Sequence, residues 1–114
     1  MRYRTDMYAL VVKLVLHDTD AADVFDRLAA DAVDRIAENE PGTLLYVIHT
    51  VDGEPRSRVI YEVYRDRKAF EDHQRQPHTR YFLEQRDNYV ESNRVEFLTP
   101  KMFEGFPGAA TREP

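Results

Sequence analysis

The run YALVVKLVL (Tyr8–Leu16) places large or β-branched apolar side chains at nearly every position, which predicts a strand. Leu10, Val12 and Leu14 fall on one face and Val11 and Val15 on the other, so this strand asks for cover on both sides. The period then changes. From Ala21 to Asn39 the residues Val24, Phe25, Leu28, Ala32 and Ile36 recur at three and four, with Asp23, Arg27, Asp31, Asp34 and Arg35 between them, predicting an amphipathic helix. Asp18, Thr19 and Asp20 offer turn and cap chemistry at its start, and Pro41-Gly42 stops it.

A second strand is predicted over Gly42–Val51 and a third over Arg56–Tyr64, joined by the turn Asp52-Gly53-Glu54-Pro55. In the third strand Val59, Tyr61 and Val63 share one face, and Arg58, Ile60, Glu62 and Tyr64 the other. Asp66 caps a short helix over Arg67–Gln74. Pro77 restarts the helix, and a second piece runs from about His78 to Val90 with Tyr81, Phe82, Gln85 and Tyr89 along its stripe. A fourth strand follows over Asn93–Leu98. The first six residues read as a loose arm, and residues 99–114 as an irregular tail anchored by Met102, Phe103 and Phe106. The order β-α-β-β-α-β predicts an α+β, ferredoxin-like sandwich: one domain over residues 1–114, with its core at about 6–98. Its helices cover one sheet face. Nothing left in the chain looks long enough to cover the other, so a homodimer is the expectation.

Composition narrows the partners. With 16 Lys and Arg against 21 Asp and Glu the formal charge is −5, which argues against nucleic acid and anionic membrane surfaces as partners. The chain has no cysteine, which excludes disulfides and thiolate chemistry. The N-terminal apolar run is too short for a membrane span and lacks a signal-peptide cleavage pattern, so a cytoplasmic protein is expected. Phosphate-cradling glycine motifs are missing, the histidines lack zinc-site spacing, and neither Ser57 nor Ser92 sits on a nucleophile elbow. No metal and no cofactor is expected.

The chemistry-bearing residues concentrate between Tyr61 and Phe82. Glu62 is a carboxylate inside an otherwise apolar strand and needs a partner, which Arg58, His73 or His78 can supply. His73 ends one helical piece, where it can satisfy the last carbonyls or serve as a pocket base. His78 opens the next piece, where the helix dipole disfavours imidazolium and leaves a neutral ring able to accept a proton. The catalytic candidates are therefore His73, His78 and Glu62. Tyr46, Tyr61, Tyr64 and Tyr81 suit a pocket for a flat aromatic ligand. The strand parity of His49 leaves open whether it faces such a pocket or the opposite side.

Two segments, PGTLLY (Pro41–Tyr46) and YEVYRDRKAFEDHQRQPHTRYFLEQ (Tyr61–Gln85), carry a family resemblance. Pro-Gly at a helix end, Glu62 and Tyr64 on a strand, Ala69-Phe70, His73, Pro77-His78 and Phe82 together resemble the antibiotic biosynthesis monooxygenase domain family. The resemblance implies a dimeric α+β barrel of two ferredoxin-like sheets. It also implies a cofactor-independent monooxygenase that oxidises a quinol or polyketide-like aromatic with O₂. His78 or His73 would remove the substrate proton, Arg58 would stabilise the anion, and Tyr46, Tyr64 and Phe82 would hold the ring; Tyr81 and His49 complete the substrate-binding candidates. The chain has no tryptophan, which sets it apart from the haem-degrading branch. Two other activities fit the same residues: isomerisation of a small enolisable carbonyl compound, and binding of an aromatic ligand without turnover.

Overall fold

In the computed structural model, which describes residues 6–105, the first apolar run forms β1 (Tyr8–Leu16), an inner strand of the sheet. It is followed by α1 (Thr19–Asn39), β2 (Thr43–Val51), β3 (Glu54–Tyr64), α2 (Arg67–Arg75), α3 (Pro77–Arg86) and β4 (Val90–Leu98). The four strands pair antiparallel in the order β2-β3-β1-β4, so the fold is ferredoxin-like as expected. The helices begin where short polar side chains satisfy free amides: Asp18 accepts from the Ala21 N–H at 2.7 Å, and Asp66 from the Ala69 N–H at 2.8 Å.

Parity decides the core. Leu10, Val12, Leu14 and Leu16 of β1 join Ile60 and Tyr64 of β3 beneath the helices, where they meet Phe25, Ala29 and Ala32 of α1 and Phe82 of α3. Phe25 is fully buried and stacks at a tilt on Phe82, with ring centroids 5.7 Å apart. Burying such a ring contributes about 1.5–3 kcal/mol. Arg58, Glu62 and Tyr64 share this helix-facing side, so three polar groups of β3 are built into the layer between sheet and helices.

Three expectations require correction. First, α3 ends at Arg86, four residues earlier than its apolar stripe suggests, because Asp87 and Asn88 form a turn that places Tyr89 N–H on the Arg86 carbonyl at 2.8 Å. The fourth strand consequently starts at Val90. Second, the sheet is not closed into a barrel. It has two free edges, β2 and β4, that do not pair with each other. Four strands are too few to close around their own side chains, which takes about eight. Third, the chain itself supplies part of the cover for the second sheet face. Phe103, beyond β4, packs with Met7, Ala9, Val63 and Tyr61 on that side. Met102 stays exposed, and Phe106 lies outside the described residues. The rest of this face, around Val11, Val15 and Val59, is only half-buried.

The helical layer also stops short of β4. Phe97, on the helix-facing side opposite Leu10, is 58% exposed and forms an open rim. Among the described residues, no helix is long and apolar enough to cross a membrane.

The link from α1 to β2 depends on close approach. A Cβ on Gly42 would lie 2.7 Å from the Ala69 Cβ, inside any real contact distance. Gly42→Ala is therefore expected to push α2 off the start of β2 and lower stability by about 1–3 kcal/mol. Urea unfolding of the two proteins checks this; an unchanged midpoint would show that α2 has slack.

Candidate active site

A buried carboxylate that the sequence reading passed over organises the region. Glu40 caps the C-terminus of α1, where its own charge is opposed by the helix dipole. Its side chain nevertheless turns inward and is only 5% exposed. There it accepts hydrogen bonds from Thr43 Oγ1 at 2.7 Å, from His73 Nδ1 at 2.7 Å and from His78 Nε2. Burial alone would raise its pKa, but the bonds from His73, His78 and Thr43 outweigh that and hold the carboxyl below its ordinary value. An ionised carboxylate only accepts, so His73 Nδ1 and His78 Nε2 carry the protons they donate. In a neutral His73 ring this leaves Nε2 as the basic nitrogen.

That nitrogen points toward Glu62. His73 Nε2 and Glu62 Oε1 are 3.9 Å apart, too far for a hydrogen bond. Glu62 is itself buried and accepts from the Tyr64 hydroxyl at 2.5 Å. Desolvation raises the Glu62 pKa, and the Tyr64 bond and the neighbouring His73 and Arg86 only partly offset it. Burial and the Glu62 charge push both Tyr46 and Tyr64 upward, so each phenol stays protonated and able to donate.

His73 and Glu62 open onto a cavity of about 180 Å³ between the sheet and the second and third helices. Leu10, Val12, Ile60, Phe70 and Phe82 give it apolar walls; Tyr46, Thr79 and Arg86 add polar points. Val95 and Phe97 of β4 form its mouth. The volume is below the roughly 300–1,000 Å³ usual for drug-sized ligands, so it suits a compact substrate. The arrangement offers an imidazole oriented from behind, a carboxyl–phenol pair beside it and largely apolar walls.

The expected site residues divide. His73, Glu62, Tyr46 and Phe82 line the cavity. Tyr64 stands behind Glu62, its ring 5.2 Å from that of His73. His78 does not line the cavity; its Nε2 is engaged by Glu40. Arg58 is on the helix-facing side of β3 but about 13 Å along the strand from Glu62 at ~3.3 Å per residue. It forms a two-point ion pair with Asp26, both bonds 2.9 Å. His49, on the edge strand, is exposed, and its Nδ1 bonds the Val59 carbonyl at 2.9 Å. It shares a surface groove with Arg58 rather than the cavity. Tyr81 is 55% exposed, one helical position away from the buried Phe82. Among the described residues, no group of three or more acidic or histidine side chains could hold a metal ion.

Glu40, Thr43, Thr79 and Arg86 are among the cavity and network residues that the sequence reading missed. Two had a signal. An acidic residue at a helix C-terminus is electrostatically misplaced unless something binds it, and Arg86 follows Phe82 by four, putting a cation on an apolar stripe.

Comparison with known proteins supports the same assignment of family and fold. The family profile described as antibiotic biosynthesis monooxygenase matches residues 7–85. A crystal structure from Caulobacter crescentus, provisionally described as such a monooxygenase, superposes with a TM-score of 0.80 at 20% identity, covering 88% of this chain and 94% of that one. One from Bacteroides thetaiotaomicron, described likewise, gives 0.79 at 19% identity over 94% and 97% of the two chains. Rv0793 from Mycobacterium tuberculosis gives 0.77 at 20% identity over 87% and 99%. These similarities show a shared fold. No curated protein matches the chain.

The two glutamates make opposite contributions to stability. Glu40, with its lowered pKa, stabilises the fold above the ordinary value of 4.5, and this is lost as pH falls through its folded value. Glu62, with its raised pKa, contributes below 4.5, and that is lost as pH rises through its folded value. Glu62→Gln keeps an acceptor for Tyr64 and removes the ionisation. It is expected to match or exceed the wild type in melting temperature on the alkaline side of that window. Thermal melts from about pH 5 to pH 8 check this; a variant that melts lower throughout would mean that the charge is a net stabiliser.

Proposed function

Because the chain belongs to the antibiotic biosynthesis monooxygenase family, we propose that it is a cofactor-independent monooxygenase acting on a compact, electron-rich aromatic such as a quinol. One observation carries this reading: His73, held from behind by Glu40, presents its second nitrogen to an apolar, aromatic-walled cavity beside Glu62. We assign His73 as the base. His78 is a positioning residue that helps to hold Glu40.

In this mechanism a substrate hydroxyl enters between His73 Nε2 and Glu62, and His73 takes its proton. The resulting electron-rich anion passes one electron to O₂, giving a substrate radical and superoxide. The two combine into a carbon–oxygen bond, forming a peroxide. The carbon loses its hydrogen as a proton while the O–O bond breaks. One oxygen remains as a carbonyl, and the other takes up that proton together with the one held on His73 and leaves as water. The substrate supplies all the electrons. Tyr46 and Phe82 hold the ring, and the apolar walls keep water from the anion. A cytoplasmic homodimer, paired through the half-buried second face of the sheet, is part of the same reading; sedimentation velocity is expected to give twice the chain mass of 13.4 kDa.

The test is oxygen uptake with a panel of benzene and naphthalene quinols. Wild-type protein is expected to consume O₂ above the rate of autoxidation, and His73→Ala to lose about 10²–10⁴-fold of that enhancement, the usual worth of a positioned base. Turnover that persists unchanged without oxygen would instead identify an isomerase. No uptake with any quinol, together with ligand binding indifferent to His73→Ala, would sink the proposal.

A further inference from the structure

Arg86 is out of keeping with the rest of the cavity. Its side chain is only 13% exposed, and its Nε is buried without a hydrogen-bond partner. The nearest carboxylate is that of the adjacent Asp87, 4.0 Å away and 73% exposed, too distant for a hydrogen bond. The guanidinium otherwise lies over the Phe82 ring at 5.9 Å. Arg58 shows the contrast: its guanidinium makes four hydrogen bonds, two to Asp26 and one each to the carbonyls of Pro55 and Ser57. A guanidinium has five donors and never deprotonates, so leaving one both desolvated and unbonded is costly. Unmet donors of this kind are normally satisfied by a ligand or by water.

Arg86 also lines the cavity that His73 and Glu62 open onto. Its charge is felt by both Glu62 and Tyr46. Neither bonds it directly: the Glu62 carboxyl attracts the guanidinium across the cavity but is hydrogen-bonded by Tyr64, and the Tyr46 phenol stays protonated. The pocket therefore contains a preformed guanidinium that no carboxylate bonds at Nε, set among apolar walls.

We propose that Arg86 is a specificity-determining residue that binds an anionic substituent, a carboxylate, on the aromatic substrate. This deepens the assignment of the cavity as the substrate site and rests on it. The planar fork of a guanidinium matches a carboxylate with two parallel bonds, which fixes both the position and the plane of the attached ring. A substrate anchored there presents its other edge toward His73 and Glu62. Neutral aromatics of the same size fill the apolar walls but leave the donors of Arg86 unmet, so they are discriminated against.

Anaerobic calorimetric titration with two redox-inert probes, 2-naphthoate and 2-naphthol, separates binding from turnover. Wild-type protein is expected to prefer the carboxylate by roughly tenfold to a hundredfold, the factor of a hydrogen bond to a charged group. Arg86→Met is expected to abolish that preference while holding 2-naphthol as before. Arg86→Lys should keep part of it, and circular dichroism of both variants verifies the fold. Equal affinity of wild type for the two probes, no binding of the carboxylate, or a preference that survives in Arg86→Met would overturn the proposal. Carboxylate-selective binding without oxygen uptake from any quinol would overturn the oxygenase reading and leave the anion site standing.

Discussion

The carboxylate of Glu40 is the point on which the site depends. It sits at the end of α1 and receives donors from Thr43 at the start of β2, His73 of α2 and His78 of α3. Four elements are thus tied to one buried charge. Removing that carboxylate would leave two imidazoles and a hydroxyl without their acceptor, at the desolvation penalty that attaches to each unpaired buried group. The same bond that stabilises the corner also orients His73, because fixing Nδ1 as the donor leaves Nε2 facing the cavity. The group that holds the helices together is thus also the group that orients the His73 ring.

The sheet completes the arrangement by parity. Ile60, Glu62 and Tyr64 alternate with Val59, Tyr61 and Val63, so the strand that supplies core side chains also supplies a carboxyl to the inner layer. Tyr64 then fills the space beyond Glu62, packed edge-on against Phe70 at 5.3 Å. β4 adds less cover than its length suggests. It is paired on one side only, and the helices do not reach over it, so the cavity opens along its Phe97 side. The accessible mouth follows from this shortfall of the helical layer.

Most of the architecture was legible in the chain. The switch from the near-continuous apolar run of Tyr8–Leu16 to the three-four spacing of Val24 to Ile36 marks strand and helix, and Asp18 and Asp66 mark two helix starts. The resemblance in Glu62, Tyr64, Phe70, His73 and Pro77-His78 led to the family. The site was only partly legible. Glu62, His73, Tyr46 and Phe82 meet at the cavity, whereas Arg58, His49 and Tyr81 do not. Arg58 has the right parity, but strand parity says nothing about distance along the strand. Tyr81 belongs to the right helix, but one position turns a side chain by about 100° and carries it to solvent.

Sequence alone determined the order of elements, which residues of a strand share a face and the identity of the groups available for chemistry. These depend on period and local capping, which neighbouring residues carry among themselves. Only the tertiary structure decided which groups meet. Glu40 and His73 are 33 positions apart and share a 2.7 Å hydrogen bond. Arg58 found Asp26 rather than the cavity, and Arg86 Nε found no hydrogen-bond acceptor among the described residues. The sheet stayed open because four strands cannot close on themselves. Pairing across such separations is set by how the layers pack, and no local pattern encodes it.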